Sequence, residues 1–124
     1  MASNIKIKKI NKEISSIIID EPKTYNSLSF KNLNDLFRLL KKLDSDKKVK
    51  VIILEGAGKG FSAGHNLKEV RSLKKKDKYL KLFNLCSKVM LQIVEGKKPV
   101  IAKVHGAAFA AGCQLVASCD LAFS

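Results

Sequence analysis

The sequence predicts an α/β domain. Short β-branched or wholly apolar runs recur along it, separated by longer stretches whose apolar residues return at helical spacing. Glycine-containing segments directly follow two of the apolar runs, which puts turns at strand ends. At 124 residues the chain suits one modest domain rather than two, and 46% hydrophobic residues are enough to build a core.

Ile5 to Ile10 and Ile14 to Ile19 are rich in β-branched residues and read as two strands joined through Asn11-Lys12. Asp20 to Ser27 is a polar loop with Pro22 and Asn26. Ser29 is suited to cap a helix, with Asn32 in its first turn. Leu33, Leu36, Phe37, Leu40 and Leu43 then share one face, and Asp44-Ser45-Asp46 closes the helix. Val49 to Leu54, almost wholly apolar, is expected to be a strand buried on both faces.

A glycine-dense loop runs from Gly56 to Gly64, and Lys74 to Lys78 reads as a lysine-rich connection. Leu82, Leu85, Cys86, Val89, Met90 and Ile93 mark a long helix. Gly96 is a suitable residue to stop it, with Pro99 shortly after. Val100 to Val104 is a further buried strand, Gly106 to Gly112 a small-residue loop, Gly112 to Ser118 a helix, and Leu121 to Phe123 the start of another strand. Because the chain stops inside that apolar run, residues 1–124 are expected to be the N-terminal portion of a longer domain.

Lys and Arg number 24 against 11 Asp and Glu, a net charge of +13. The lysines, among them Lys8, Lys9, Lys41, Lys47, Lys48 and Lys75, are spread over loops and polar helix faces. No aromatics interleave with them to stack bases, so solvated faces are the expectation, a field favouring a multiply phosphorylated ligand is the alternative, and nucleic acid is not an expected partner. Cys86, Cys113 and Cys119 have neither CxxC nor metal-ligand spacing and read as buried thiols of a reducing compartment, with no metal expected. Met1 to Ile10 has neither a signal-peptide core nor the character of a transit peptide. The longest uncharged run, Val104 to Cys119, is too short and polar-spotted to span a bilayer. A cytoplasmic or mitochondrial-matrix protein is expected.

The chemistry is expected at the two glycine-bearing turns, around Gly64 and Gly112. Glycine lets backbone approach a ligand closely and frees consecutive N–H groups from the ladder. Two such turns on neighbouring strands can aim one N–H each at a single oxygen; removing one donor of such a pair costs about 3 kcal/mol of transition-state stabilisation. The second turn also enters a helix, whose N-terminal partial charge adds to the field. Gly58-x-Gly60-x-x-x-Gly64 is not a dinucleotide fingerprint. There is no GxxxxGK[ST], GxSxG or HExxH either, so on spacing alone ordinary tight turns are the preferred reading and the oxyanion site the alternative.

The wording of the turns goes further. Gly58-Lys59-Gly60-Phe61-Ser62-Ala63-Gly64-His65-Asn66-Leu67-Lys68-Glu69 resembles the first oxyanion-loop motif of the crotonase (enoyl-CoA hydratase/isomerase) superfamily. Pro99 to Gly106, with Ala111-Gly112-Cys113-Gln114-Leu115-Val116-Ala117-Ser118-Cys119-Asp120, resembles the second. Asp20-Glu21-Pro22 with Asn26-Ser27-Leu28 is similar to the family's opening, and the likeness covers nearly the whole chain in order. The resemblance implies a crotonase-like spiral of ββα units and an acyl-CoA or enoyl-CoA thioester as substrate. It implies no cofactor, since CoA is part of the substrate, and a homo-oligomer, trimer or hexamer, in the full-length protein. The oxyanion donors it implies are the backbone N–H groups of His65 and Ala111. Ala63, His65, Asn66, Leu67, Lys68 and Ala111 would line the substrate, with Lys68 near the CoA phosphates.

Two positions depart from that pattern. Gln114 stands where hydratases of the family carry a glutamate; an amide can orient a water but cannot carry its proton. The second catalytic glutamate would fall beyond Ser124. Asn66 replaces the usual aspartate and suits a turn. His105 reads as a packed or hydrogen-bonded histidine rather than a base, and Cys113 as packing. The implied activity is nominally enoyl-CoA hydration in fatty acid metabolism. The alternatives are an isomerase or thioesterase of the same fold and an inactive acyl-CoA-binding homologue.

Overall fold

The computed structural model describes residues 3–58, 60–64, 67–72, 75–105 and 111–123. Its elements run β1 (Ile5–Lys9), β2 (Ile14–Ile19), a 3-10 turn (Pro22–Thr24), α1 (Phe30–Ser45), β3 (Val51–Gly56), α2 (Leu67–Ser72), α3 (Lys76–Glu95), β4 (Val100–Lys103), α4 (Ala111–Ser118) and β5 (Leu121–Phe123). The strands form a single sheet in the order β1-β2-β3-β4-β5. β1 and β2 are an antiparallel hairpin; every later pair is parallel, as helical crossovers require.

Register explains the hydrophobic pattern. Ile5 pairs with Ile19, Ile7 with Ile17, Ile17 with Leu54, and Leu54 with Ala102, so these residues line one face of the sheet. That face is covered by α1 and α3 and is closed to solvent at Ile17, Ile19, Leu54 and Ala102. Each Leu or Ile fully buried there contributes about 1.5–3 kcal/mol. The opposite face carries Ile18, Ile53, Glu55, Ile101 and Lys103 and is only partly covered. Among the described residues β3 is therefore not closed on both faces; its burial alternates, with Ile52 and Leu54 on the closed side. The strand also begins at Val51 rather than Val49, whose N–H closes a turn onto the Asp46 carbonyl. β1 is an edge strand, and Lys6 and Lys8 on it guard against pairing with another chain.

α1 begins as its sequence dictates: the Ser29 hydroxyl accepts the Asn32 N–H at 3.1 Å. Leu33, Leu36, Leu40 and Leu43 face the core, and α3 meets them with Leu82, Cys86, Val89 and Ile93. Phe37 lies between the two helices, its ring 5.2 Å from Lys41 Nζ and 5.1 Å from Lys88 Nζ. α3 starts at Lys76, inside the stretch expected to be a connection. Lysine is a good helix former, and Asp77 sits in the first turn, where the helix field favours an anion.

Gly96 ends α3 as expected, with φ −61°. What it supplies is room: a Cβ there would lie 2.8 Å from the Gln92 carbonyl and 3.2 Å from Asp44 Oδ1. That same Asp44 oxygen accepts the N–H groups of Lys97 and Lys98, tying the ends of α1 and α3 together. Among the described residues, no helix is long and apolar enough to cross a membrane.

Candidate functional site: two turns at the ends of β3 and β4

β3 and β4 are parallel neighbours, so the chain leaves both at the same edge of the sheet. After β3 the chain folds back on itself, burying Phe61 and Ser62. The turn is held from outside by Asn26, a left-handed residue (φ 54°) only 1% exposed. Its Nδ2 donates to the carbonyls of Ala57 at 2.7 Å, Gly60 at 3.0 Å and Phe61 at 3.2 Å. Its Oδ1 accepts the Glu21 N–H at 2.8 Å. Glu21 in turn accepts from Asn4, Thr24 and Ser27 side chains, so the loop that presents Asn26 is itself knotted.

Ser62 does the same work from inside the turn. Its hydroxyl donates to the Asn26 carbonyl at 2.8 Å and accepts the Gly64 N–H at 3.1 Å. The Ala63 N–H donates to the Tyr25 carbonyl, and the Gly64 carbonyl accepts the Leu28 N–H at 2.7 Å. Gly64 has φ 88°, a conformation that needs glycine. The N–H groups of Ala63 and Gly64 are thus both consumed within the fold. Ala63 is exposed but has no backbone donor left for a ligand. The next amides, of His65 and Asn66, lie outside the described residues.

α2 follows as a short helix that the sequence reading did not anticipate. Glu69 Oε1 accepts the Phe30 N–H at 3.0 Å, pinning α2 to the start of α1. Leu67 and Lys68 open this helix; their side chains lie outside the described part.

Beyond β4, His105 Nε2–H donates to the Gly58 carbonyl at 2.5 Å, a link between the two turns. His105 is hydrogen-bonded as expected, yet exposed rather than packed. Residues 106–110 lie outside the described residues, and α4 begins at Ala111, one residue earlier than the pattern suggested. The Ala111 N–H belongs to the first turn of that helix, where backbone donors have no intrahelical acceptor and the helix field is positive.

Gly112 is buried against the first turn. A Cβ at this position would lie 2.5 Å from the Ser62 carbonyl oxygen and 3.0 Å from Ser62 Cβ. Only a glycine lets the start of α4 seat here, and that seating brings the two turns together. Gln114 and Cys113 are in α4, but their side chains lie outside the described part. Cys119 at the end of α4 is half-buried and donates to the Leu115 carbonyl. Burial first, and the Asp120 carboxylate second, push its thiol up to about 12.

An open cleft of about 480 Å³ flanks the first turn, lined by Pro22, Lys23, Tyr25, Asn26, Ala57, Gly58 and Gly60. Tyr25 is 71% exposed there, with Lys23 beside it. The sequence places Asn26 and Ser62 inside the family-like stretches but gives neither a role, and it does not show this cleft. Asn26 looked like one more loop asparagine, and only its left-handed backbone and distant carbonyl partners distinguish it.

Residues 9–124 match the family model described as enoyl-CoA hydratase/isomerase. The chain belongs to this family. Among curated relatives, it is 46% identical over 110 residues to human enoyl-CoA hydratase domain-containing protein 3, mitochondrial, covering 88% of this chain and 36% of that protein. It is 36% identical over 114 residues to the enoyl-CoA hydratase, mitochondrial, of Pongo abelii, covering 92% of this chain and 38% of that one.

Solved enoyl-CoA hydratase-like structures superpose closely. The Mycobacterium smegmatis enoyl-CoA hydratase gives a TM-score of 0.93 at 40% identity over 98% of this chain and 47% of that one. Human enoyl-CoA hydratase domain-containing protein 3 gives 0.90 at 40% identity, over 96% and 47%. The crotonase fold and the likeness to that branch of the family follow. The chain spans little more than a third of the length of these curated relatives.

Proposed function

We propose that this protein binds an acyl-coenzyme A thioester and polarises its carbonyl between the backbone N–H groups of His65 and Ala111. The observation that carries the reading is the seat of Gly112 on Ser62, which sets the first turn of α4 against the turn that leads into His65. Ala63 and Gly64 spend their N–H groups internally, so neither of them is the donor, and the reading assigns that role to the next residue in the chain, His65. Donors fixed in this way need no reorganisation as charge develops on the oxygen, the source of their catalytic value.

Tyr25 and Lys23 on the flanking cleft supply a flat ring and a cation for the nucleotide end of CoA, and Lys68 a second cation. Ala63, Asn66 and Leu67 would line the substrate with side chains and carbonyls. No cofactor is needed beyond the CoA that the substrate carries. The relatives are named mitochondrial, which supports a mitochondrial location over the cytoplasm. A homo-oligomer, trimer or hexamer, is proposed for the full-length protein.

Hydration of an enoyl-CoA, a lyase step of fatty acid metabolism, requires a group that takes a proton from water. Gln114 cannot take one. That residue favours a second reading: an acyl-CoA-binding homologue, or an isomerase or thioesterase that draws its carboxylate from elsewhere.

Titrating the full-length protein with butyryl-CoA, and then following the enoyl absorbance of crotonyl-CoA, tests both parts. Saturable micromolar binding is expected. Its absence would overturn the reading, and turnover of crotonyl-CoA would decide for the hydratase.

A further inference from the structure

At the opposite end of the parallel strands the sheet carries a second open cleft, of about 530 Å³, lined by Lys9, Lys12, Lys48, Lys50 and Glu13. Four ammonium groups and one carboxylate leave it strongly cationic. Lys6 pairs with Asp20 at 3.0 Å and Lys103 approaches Glu55 at 3.9 Å, whereas the cleft gathers four lysines around one carboxylate. Among the described residues, none of the four cleft lysines has an ion pair or a hydrogen bond through its ammonium group. Like charges gathered without counter-charge repel one another, and an anion that reaches several of them relieves that repulsion.

The lysines stand on a built frame. Asn11 Oδ1 accepts the N–H groups of Glu13 at 2.8 Å and Ile14 at 2.9 Å, closing the β1–β2 hairpin that carries Lys9 and Lys12. The Glu13 carbonyl accepts the Lys50 N–H at 2.6 Å and the Val51 N–H at 3.2 Å, clamping the leader of β3 to that hairpin. Asp46 Oδ1 accepts the Lys48 N–H at 2.9 Å. Lysine stems from two separate segments are thereby aimed at one depression. β3, six residues long, separates this cleft from the two turns by about 17 Å, so it is no part of the thioester site.

We propose that this cleft binds a small anion carrying two or more adjacent phosphate groups. Four ammonium groups attract an anion with several phosphates more strongly than one with a single phosphate, because each added charge is a further attraction. A nucleic-acid strand would want aromatic platforms, and the lining has none. The interaction is ionic, so it weakens as salt rises.

Inorganic tripolyphosphate titrated into the full-length protein at low salt, followed by calorimetry, tests this. Saturable 1:1 binding is expected, with orthophosphate much weaker. The double variant Lys12→Ala/Lys48→Ala is expected to weaken tripolyphosphate by about tenfold or more. The charge-matched control Lys78→Ala/Lys81→Ala, on the exposed side of α3, should leave it within about twofold. Equal weakening by both pairs would mean that overall charge alone draws the anion, and would overturn the site. So would the absence of binding. Tighter binding of a single-stranded RNA of equal charge, lost in the same cleft variant, would replace the small anion with nucleic acid.

Discussion

The turn after β3 is held by side chains from a distant loop, whereas the start of α4, beyond β4, is held by a steric fit in which the missing side chain matters. In the first, Asn26 satisfies three carbonyls with one amide group, and Ser62 joins that asparagine to Gly64. In the second, Gly112 lets a helix start settle onto the Ser62 carbonyl. Hydrogen bonds set the orientation of one turn; close packing sets the distance to the other. Two donors aimed at one oxygen need both, and Ser62 is the residue common to the two devices.

The comparison can be broken most severely at Asn26. Asn26→Asp replaces a donor with an acceptor-only carboxylate, facing three carbonyl oxygens in a site closed to solvent. We expect a loss of about 3 kcal/mol or more in denaturant unfolding, together with loss of CoA-ester binding. A variant as stable as the parent would mean that the first turn holds itself.

Gly112→Ala tests the steric device and should do less. Its new Cβ meets backbone, so the helix start must shift, at a cost of about 1–3 kcal/mol. On the proposed reading, in which Ala111 and His65 are the two donors, such a shift separates them, so thioester affinity should fall even where the variant remains folded. Unchanged affinity in a folded Gly112→Ala protein would detach the seating from the site.

The smallest effect measures how tightly α4 sits at its far end. Cys119, its thiol pushed up to about 12, stays protonated at neutral pH, where the thiolate is the reactive form. We expect iodoacetamide at pH 8 to modify it about a hundredfold more slowly than an unfolded control. The linked stability contribution is fully present below pH 9, where the unfolded thiol is also protonated, and is lost as pH rises toward 12. Fast alkylation at pH 8 would show the helix opening readily, unlike the hydrogen-bonded first turn.

Local rules made much of the fold legible. Ser29 caps α1 as its position suggested, and the leucines of α1 and the buried residues of α3 fall where helical spacing put them. The errors lie where a second segment decides. The lysines at 76 and 78 looked like a linker because charge dominates their local text, but they extend α3, which packs on α1 through other residues. β3 looked buried on both faces because its residues are apolar; which face is covered depends on where the helices go.

Taken alone, the sequence determined the α/β class, the order of the strands and of every helix but α2, and the two glycine-bearing turns with their family wording. Periodicity and turn chemistry are properties of neighbouring residues and survive without a structure. Tertiary structure alone decided that Asn26 reaches carbonyls 31 to 35 residues away, that Gly112 rests on Ser62, and that four lysines share one cleft. Such contacts join segments far apart in the chain, and they leave no periodic mark on either one.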